Sequence, residues 1–129
     1  MLVGRADLLD ATGGDQPRFT TIEANTAYEY GLIGKQVAAV FQAVSCQTMI
    51  KDNIFFSGPR HGVNFNDGMG GGNRLHGNLM FNQVRESSDA GPFNSWDRTT
   101  FLTDVREGNG TASVWKAWDE IAFNLIYNK

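Results

Sequence analysis

The residues best suited to chemistry gather in the middle of the chain. Arg60, His61, Asn64, Asn66 and Asp67 form one group, and Arg85, Glu86, Asp89, Asn94, Asp97 and Arg98 form a second shortly after it. Acid-catalysed cleavage of a glycosidic bond needs two carboxyl groups flanking that bond, and Asp67 with Asp89, or Asp89 with Asp97, are the candidate pairs. Elimination beside a uronate carboxylate instead needs a base to take a proton and a cation to offset the charge that develops. His61 or an arginine suits the proton transfer, and Asp67 is the candidate ligand for a calcium ion. A calcium site requires further oxygen ligands, and Asn66-Asp67-Gly68 is also a common turn signal. No other cofactor or metal is indicated, because His61 and His76 are too far apart in sequence for a helical zinc pair.

Binding makes fewer demands than catalysis. The guanidinium groups of Arg60, Arg85 and Arg98 can pair with carboxylates or anionic substituents, and Asn64, Asn66 and Asn94 bring amides that both donate and accept. Trp96, bracketed by polar Ser95 and Asp97, is the best surface candidate for stacking on a sugar ring. The competing structural reading is that the same arginines and carboxylates brace one another in a polar network.

These groups can converge only if the elements carrying them stack, and the sequence repeats in a way that would stack them. Ala24-Asn25-Thr26-Ala27-Tyr28, Asp52-Asn53-Ile54-Phe55-Phe56, Gly77-Asn78-Leu79-Met80-Phe81 and Phe123-Asn124-Leu125-Ile126-Tyr127 share one outline. Their asparagines lie 28, 25 and 46 residues apart, so the last interval is two turns of a repeat or one turn with a long insertion. Short strands fit a second series, Ala38 to Phe41, Gly62 to Phe65 and Gly91 to Asn94, and a third just before the asparagines, at Thr48 to Lys51 and Asn73 to His76. On such strands Val63 and Phe65 share one face and Asn64 and Asn66 the other. An asparagine at a repeated bend can bond to the backbone and tolerate a left-handed conformation. Phe41, Phe55, Phe56, Phe65, Phe81 and Phe93 are expected to build an aromatic ladder in the core.

The expected fold is therefore all-β: a short parallel β-helix of about 25 residues per coil, with irregular loops and a short terminal helix as an option. Residues 1–129 read as one truncated or reduced domain, with 1–19 as an irregular N-terminal segment. Ile33 to Val44 has enough Ala and Gln to compete as a helix. Ser113 to Ile126 spaces Trp115, Trp118, Ile121 and Ala122 as an amphipathic cap would. The glycines at 68, 70, 71 and 72 predict a loop between coils.

Composition narrows the partners. With 129 residues, 11 basic and 14 acidic side chains and a net charge of -3, the chain has no broad positive field for nucleic acid or an anionic membrane surface. The opening Met1 to Asp7 lacks the pattern of a secretion signal, no window approaches a membrane span, and the compartment stays open. The single cysteine, Cys46, cannot form an intrachain disulfide and reads as a small buried hydrophobe.

The run Asn53 to Gly68, followed by Gly70-Gly71-Gly72-Asn73, then Gly77 to Asn82 and Arg85 to Arg98, resembles the right-handed parallel β-helix proteins of the pectin-lyase-like superfamily, within it a subgroup of large, poorly characterised proteins. The resemblance covers residues 22 to 104. It implies a sugar-polymer surface on the outside of the helix, with lyase, hydrolase and epimerase activities among relatives. Full enzymes of that kind have many more coils than 129 residues supply. The leading expectation is a structural or interaction module that self-associates or docks to another protein through its terminal coils, and the alternative is polysaccharide binding or cleavage.

Overall fold

The apolar stretches form strands of mostly three residues because a left-handed residue cuts nearly every one short. A computed structural model describes residues 1–4, 17–66, 70–96 and 118–128. Left-handed φ values recur at Phe19, Gln47 and Gly72 (56°, 52° and 71°), at Ala24, Asp52, Gly77 and Phe123 (55°, 56°, 65° and 59°), and at Glu29, Ser57 and Asn82 (49°, 55° and 51°). The asparagines were expected to take this conformation themselves. In the second series it falls instead on the residue before each one, which leaves the asparagine side chain free to reach across the bend.

The strands are β1 (Leu2–Gly4), β2 (Thr21–Glu23), β3 (Thr26–Tyr28), β4 (Ala38–Ala43), β5 (Ser45–Cys46), β6 (Met49–Lys51), β7 (Ile54–Phe56), β8 (His61–Phe65), β9 (Gly70–Gly71), β10 (Arg74–His76), β11 (Leu79–Phe81), β12 (Phe93–Ser95), β13 (Glu120–Ala122) and β14 (Leu125–Tyr127). They form three four-stranded sheets, ordered β1-β4-β8-β12, β2-β6-β10-β13 and β3-β7-β11-β14, and a two-stranded pair β5-β9. Every pairing is parallel. The chain therefore visits the three large sheets in a fixed order and returns to each one beside its previous strand. The architecture is all-β and parallel, compatible with a parallel β-helix.

Register turns the sequence repeat into rows of side chains. Ile22, Ile50, Leu75 and Ile121 are successive partners in one sheet, Ala27, Phe55, Met80 and Ile126 in another, and Val40, Val63 and Phe93 in the third. These rows meet in one apolar core to which Ala39 and Phe65 also belong, with Ala27, Tyr30 and Phe93 packed against it. In β2, β6, β7, β10 and β11 the central residue is buried and its two neighbours are more exposed, so burial of one face fixes the register.

Several expectations change at this level. Among the described residues there is no helix: 38–43 is β4, and 118–128 carries β13 and β14, while 113–117 of the expected cap lie outside the described residues. Alternation against a neighbouring strand wins over helical spacing at Ile121, whose row partner is Leu75. Gly70 and Gly71 pair with Ser45 and Cys46 rather than forming only a loop. Leu2–Gly4, inside the segment 1–19, pairs with Phe41 to Ala43.

The aromatic expectation divides. Phe55 and Phe65 are buried. Phe56 and Phe81 lie on the opposite, outer face and stack between Tyr28 and Tyr127, with centroids 5.1, 4.9 and 5.4 Å apart and planes within 9°. In-register parallel strands set that spacing, and no sugar ring can enter between rings this close.

Candidate functional site

The bend before β7 and its counterparts is built by the asparagines. Asn53 is buried; its Oδ1 accepts the backbone N–H and Nδ2–H of Asn25 at 2.9 and 3.1 Å, and its Nδ2 donates to Ile22 O and Lys51 O at 3.0 and 2.9 Å. Asn53 in turn gives its N–H and Nδ2–H to Asn78 Oδ1, and Asn78 gives the same pair to Asn124 Oδ1. Thr48 and Asn73 repeat the pattern toward Asn73 Oδ1 and Asp119 Oδ1, and Gln83 N–H donates to Asn128 Oδ1. Buried amides with this much satisfaction are structural groups.

A cleft of about 310 Å³ opens beside β4 and β8, lined by Gln36, Val37, Phe41, Arg60, His61, Asn64, Asn66, Asp89 and Trp96. Six of the residues singled out in the sequence thus share one opening. Register explains much of this, since Phe41, Asn64 and Asn94 are successive partners on adjacent strands, and Asn94 Nδ2 donates to Asn64 Oδ1 at 3.0 Å. Asn94 therefore positions Asn64. Arg85 is exposed and is not part of the cleft. Asp67, Asp97 and Arg98 lie outside the described residues, so neither proposed carboxylate pair is described and Asp89 is its one described member. The lining by Gln36, Val37 and Phe41 was missed, because Gln36 and Val37 lie just before β4 and reach the cleft only through the pairing of β4 with β8.

Electrostatics distinguish the groups within the cleft. Arg60 Nη2 lies 3.4 Å from Asp89 Oδ2, and Ser87 Oγ donates to Asp89 Oδ1 at 2.6 Å. The Ser87 bond, followed by the Arg60 charge, holds the Asp89 carboxyl below its usual range. Asp89 is largely exposed, so its pair with Arg60 contributes little to stability. Arg60 is mostly covered and its Nε has no partner.

His61 is almost wholly buried, and its Nδ1 lies 3.0 Å from Gly91 O. A carbonyl only accepts, so Nδ1 carries the hydrogen and, in the neutral ring, Nε2 keeps the lone pair. Burial lowers the His61 pKa, which favours that neutral form. The lone pair of the ring is thus at Nε2, and burial weakens its hold on a proton. Beneath it, Tyr30 Oη donates to His61 O at 2.8 Å and meets the side-chain amide of Gln83. The atom of Gln83 it meets is Oε1, so the single phenol proton is shared between two acceptors, His61 O and Gln83 Oε1. Gly58 is required here, because a Cβ would run into the Tyr30 ring.

A second feature lies at the C-terminal end of the sheets, where β12, β13 and β14 are the edge strands among the described residues. Ile121 and Ile126 occupy inward rows yet are 48% and 40% exposed, whereas their partners Leu75 and Met80 are 0% exposed. Trp118, Phe123 and Leu125 are also exposed there. At the opposite end of the same row Ile22 is 3% exposed.

No family model, curated protein or solved structure matches the chain. No group of three or more potential metal ligands occurs among the described residues.

Proposed function

We propose that this chain is a self-associating structural module: a short right-handed parallel β-helix of the pectin-lyase-like kind, with another copy of the chain meeting its C-terminal end. The fixed order in which the chain returns to its parallel sheets supports the coil reading. The observation that supports association is the exposure of Ile126 beyond the buried Phe55 and Met80 of its row, with Ile121 exposed beside it. Covering the still exposed part of each of these side chains would contribute about 1 kcal/mol, and the outer edges of β13 and β14, which have no further strand partner among the described residues, offer backbone groups for strand addition. Light scattering on size-separated protein tests this. The mean mass should rise with concentration and fall back to the monomer in Ile126→Lys; a wild-type mass that stays monomeric at every concentration would sink the reading.

A second reading, saccharide binding, is favoured by one observation: exposed Trp96 borders the cleft that holds Arg60, Asn64, Asn66 and Asp89. Polar groups beside an aromatic face suit a sugar, with Arg60 the natural partner for a uronate carboxylate. In this reading His61 Nε2 is the proton acceptor. Titration with uronate and neutral oligosaccharides, followed by tryptophan fluorescence, should show uronate binding that Trp96→Ala abolishes. Absence of any saturable change for either sugar class would remove it.

A further inference from the structure

The asparagine row has a direction. Asn25, Asn53 and Asn78 each donate their backbone N–H and an Nδ2–H to Oδ1 of the asparagine in the following pass, at 2.9 to 3.1 Å. No such bond runs the other way. Thr48, Asn73 and Gln83 donate in the same sense to Asn73, Asp119 and Asn128. The row therefore ends differently at its two extremes: among the described residues, Asn124 N–H has no side-chain acceptor beyond it, and exposed Asn25 keeps an Oδ1 that accepts no bond. Within this side-chain row, one end brings donors and the other brings an acceptor.

Resting on the self-association reading, we infer that the second copy stacks head to tail, with Asn25 and β3 of one copy placed on Asn124 and β14 of another. Asn124 N–H then meets Asn25 Oδ1 as Asn78 meets Asn124 within the chain. The three-residue edges Leu125–Tyr127 and Thr26–Tyr28 are equal in length, and the existing register places Ile126 over Ala27. It also places Tyr127 over Tyr28, which are the exposed end rings of the outer aromatic stack, so the joint continues that stack. Two C-terminal ends brought together would oppose donors to donors, and that arrangement leaves them unsatisfied. Ile22 is already covered, so the joint forms at the Asn25 corner rather than across the whole end. Because unlike ends pair, each added copy presents a fresh end, and growth does not close at a dimer.

Blocking the ends separately tests this. Asn25 O accepts Ile54 N–H from the following pass, as Asn53 O accepts Leu79 N–H. By the same pattern Thr26, the partner of Ile54, directs its N–H away from β7 at the N-terminal edge. Thr26→Pro removes that donor at an edge position where proline is tolerated, and Ile126→Lys puts a charge on the C-terminal end. The wild type should grow past twice the monomer mass, each variant alone should stay monomeric, and an equal mixture should form a species of twice the monomer mass. If Thr26→Pro alone still dimerises, or the mixture stays monomeric while the wild type associates, head-to-tail stacking is wrong although self-association survives. A monomeric wild type overturns both. Should either variant lose the wild-type circular dichroism spectrum, Tyr28→Lys with Tyr127→Lys, both at exposed positions, decides by the same scheme.

Discussion

Asn53 donates its backbone N–H and a side-chain amide hydrogen to Oδ1 of Asn78, at 3.0 and 2.9 Å, across the step from one pass of the chain to the next. Both residues are buried, so each bond replaces one that water would otherwise supply. The row holds the bends in register and, through them, the strands that carry the cleft.

Truncating the middle of the row should therefore be costly. Asn78→Ala removes the acceptor for Asn53 and the donors to Ile50 O, His76 O and Asn124 Oδ1. Several buried groups lose partners together, which predicts a loss of about 3 kcal/mol or more in urea unfolding. Asn25→Ala, at the exposed start of the row, should cost about 1 kcal/mol or less. Equal losses at the two positions would show that the row is not what holds the bends.

The residues before the asparagines give a prediction of opposite sign. Ala24 has φ of 55°, where a Cβ is strained, while Gly77 has φ of 65° at the equivalent position. Ala24→Gly should stabilise the chain by a few tenths to about 1 kcal/mol, the relief outweighing the extra freedom of the unfolded glycine. Gly77→Ala should destabilise it, because the new Cβ would also lie 2.7 Å from Asp52 Oδ1. Thermal unfolding of the two variants should move the midpoint in opposite directions.

The asparagine spacing made the repeat legible, and the strands at 49–51, 54–56, 74–76 and 79–81 follow from it. The spacing between Arg60 and Asn66 likewise placed a polar group on one strand and its flanks. Less legible was which side of a strand an aromatic takes: Phe55 and Phe56 are adjacent and chemically identical, and only register against Met80 and Phe81 separates core from surface. Ile121 was misread for a related reason. Trp118, Ile121 and Ala122 fit a helical stripe as well as they fit a terminal strand, and the pairing partner at Leu75 lies 46 residues away. Local pattern cannot register a contact at that distance.

His61 ties stability to pH. Burial places its folded pKa below the ordinary 6.5. Below pH 6.5 the unfolded chain then binds a proton that the folded chain still refuses, so stability is complete above that pH and is lost as pH falls toward the folded pKa. Arg60 opposes protonation, Asp89 favours it, and Gly91 O accepts from the ring, so burial is the leading cause and not the only one. Urea midpoints between pH 7.5 and 5.5 should fall more steeply for the wild type than for His61→Gln. Parallel slopes would mean that the ring is charged in the folded protein or is not covered.

Cys46 reports on the smallest sheet. Its side chain is fully buried, its Sγ lies 4.0 Å from Pro17 O, and burial raises its pKa despite the nearby Arg18 charge. Both effects suppress the reactive thiolate. A charged disulfide reagent should therefore label the native chain at least about a hundredfold more slowly than the urea-unfolded chain, because the thiol must first be exposed by opening. Among the described residues β5 pairs with the two-residue β9, whose Gly71 faces Cys46 and has no side chain to add contacts, and on its other side meets just a single bridge to Arg18. Labelling should accordingly depend weakly on low urea, as local opening does, and steeply only near the unfolding midpoint. A steep dependence from zero denaturant would join β5 and β9 to the global unit, whereas native labelling as fast as in urea would mean that Cys46 is not enclosed.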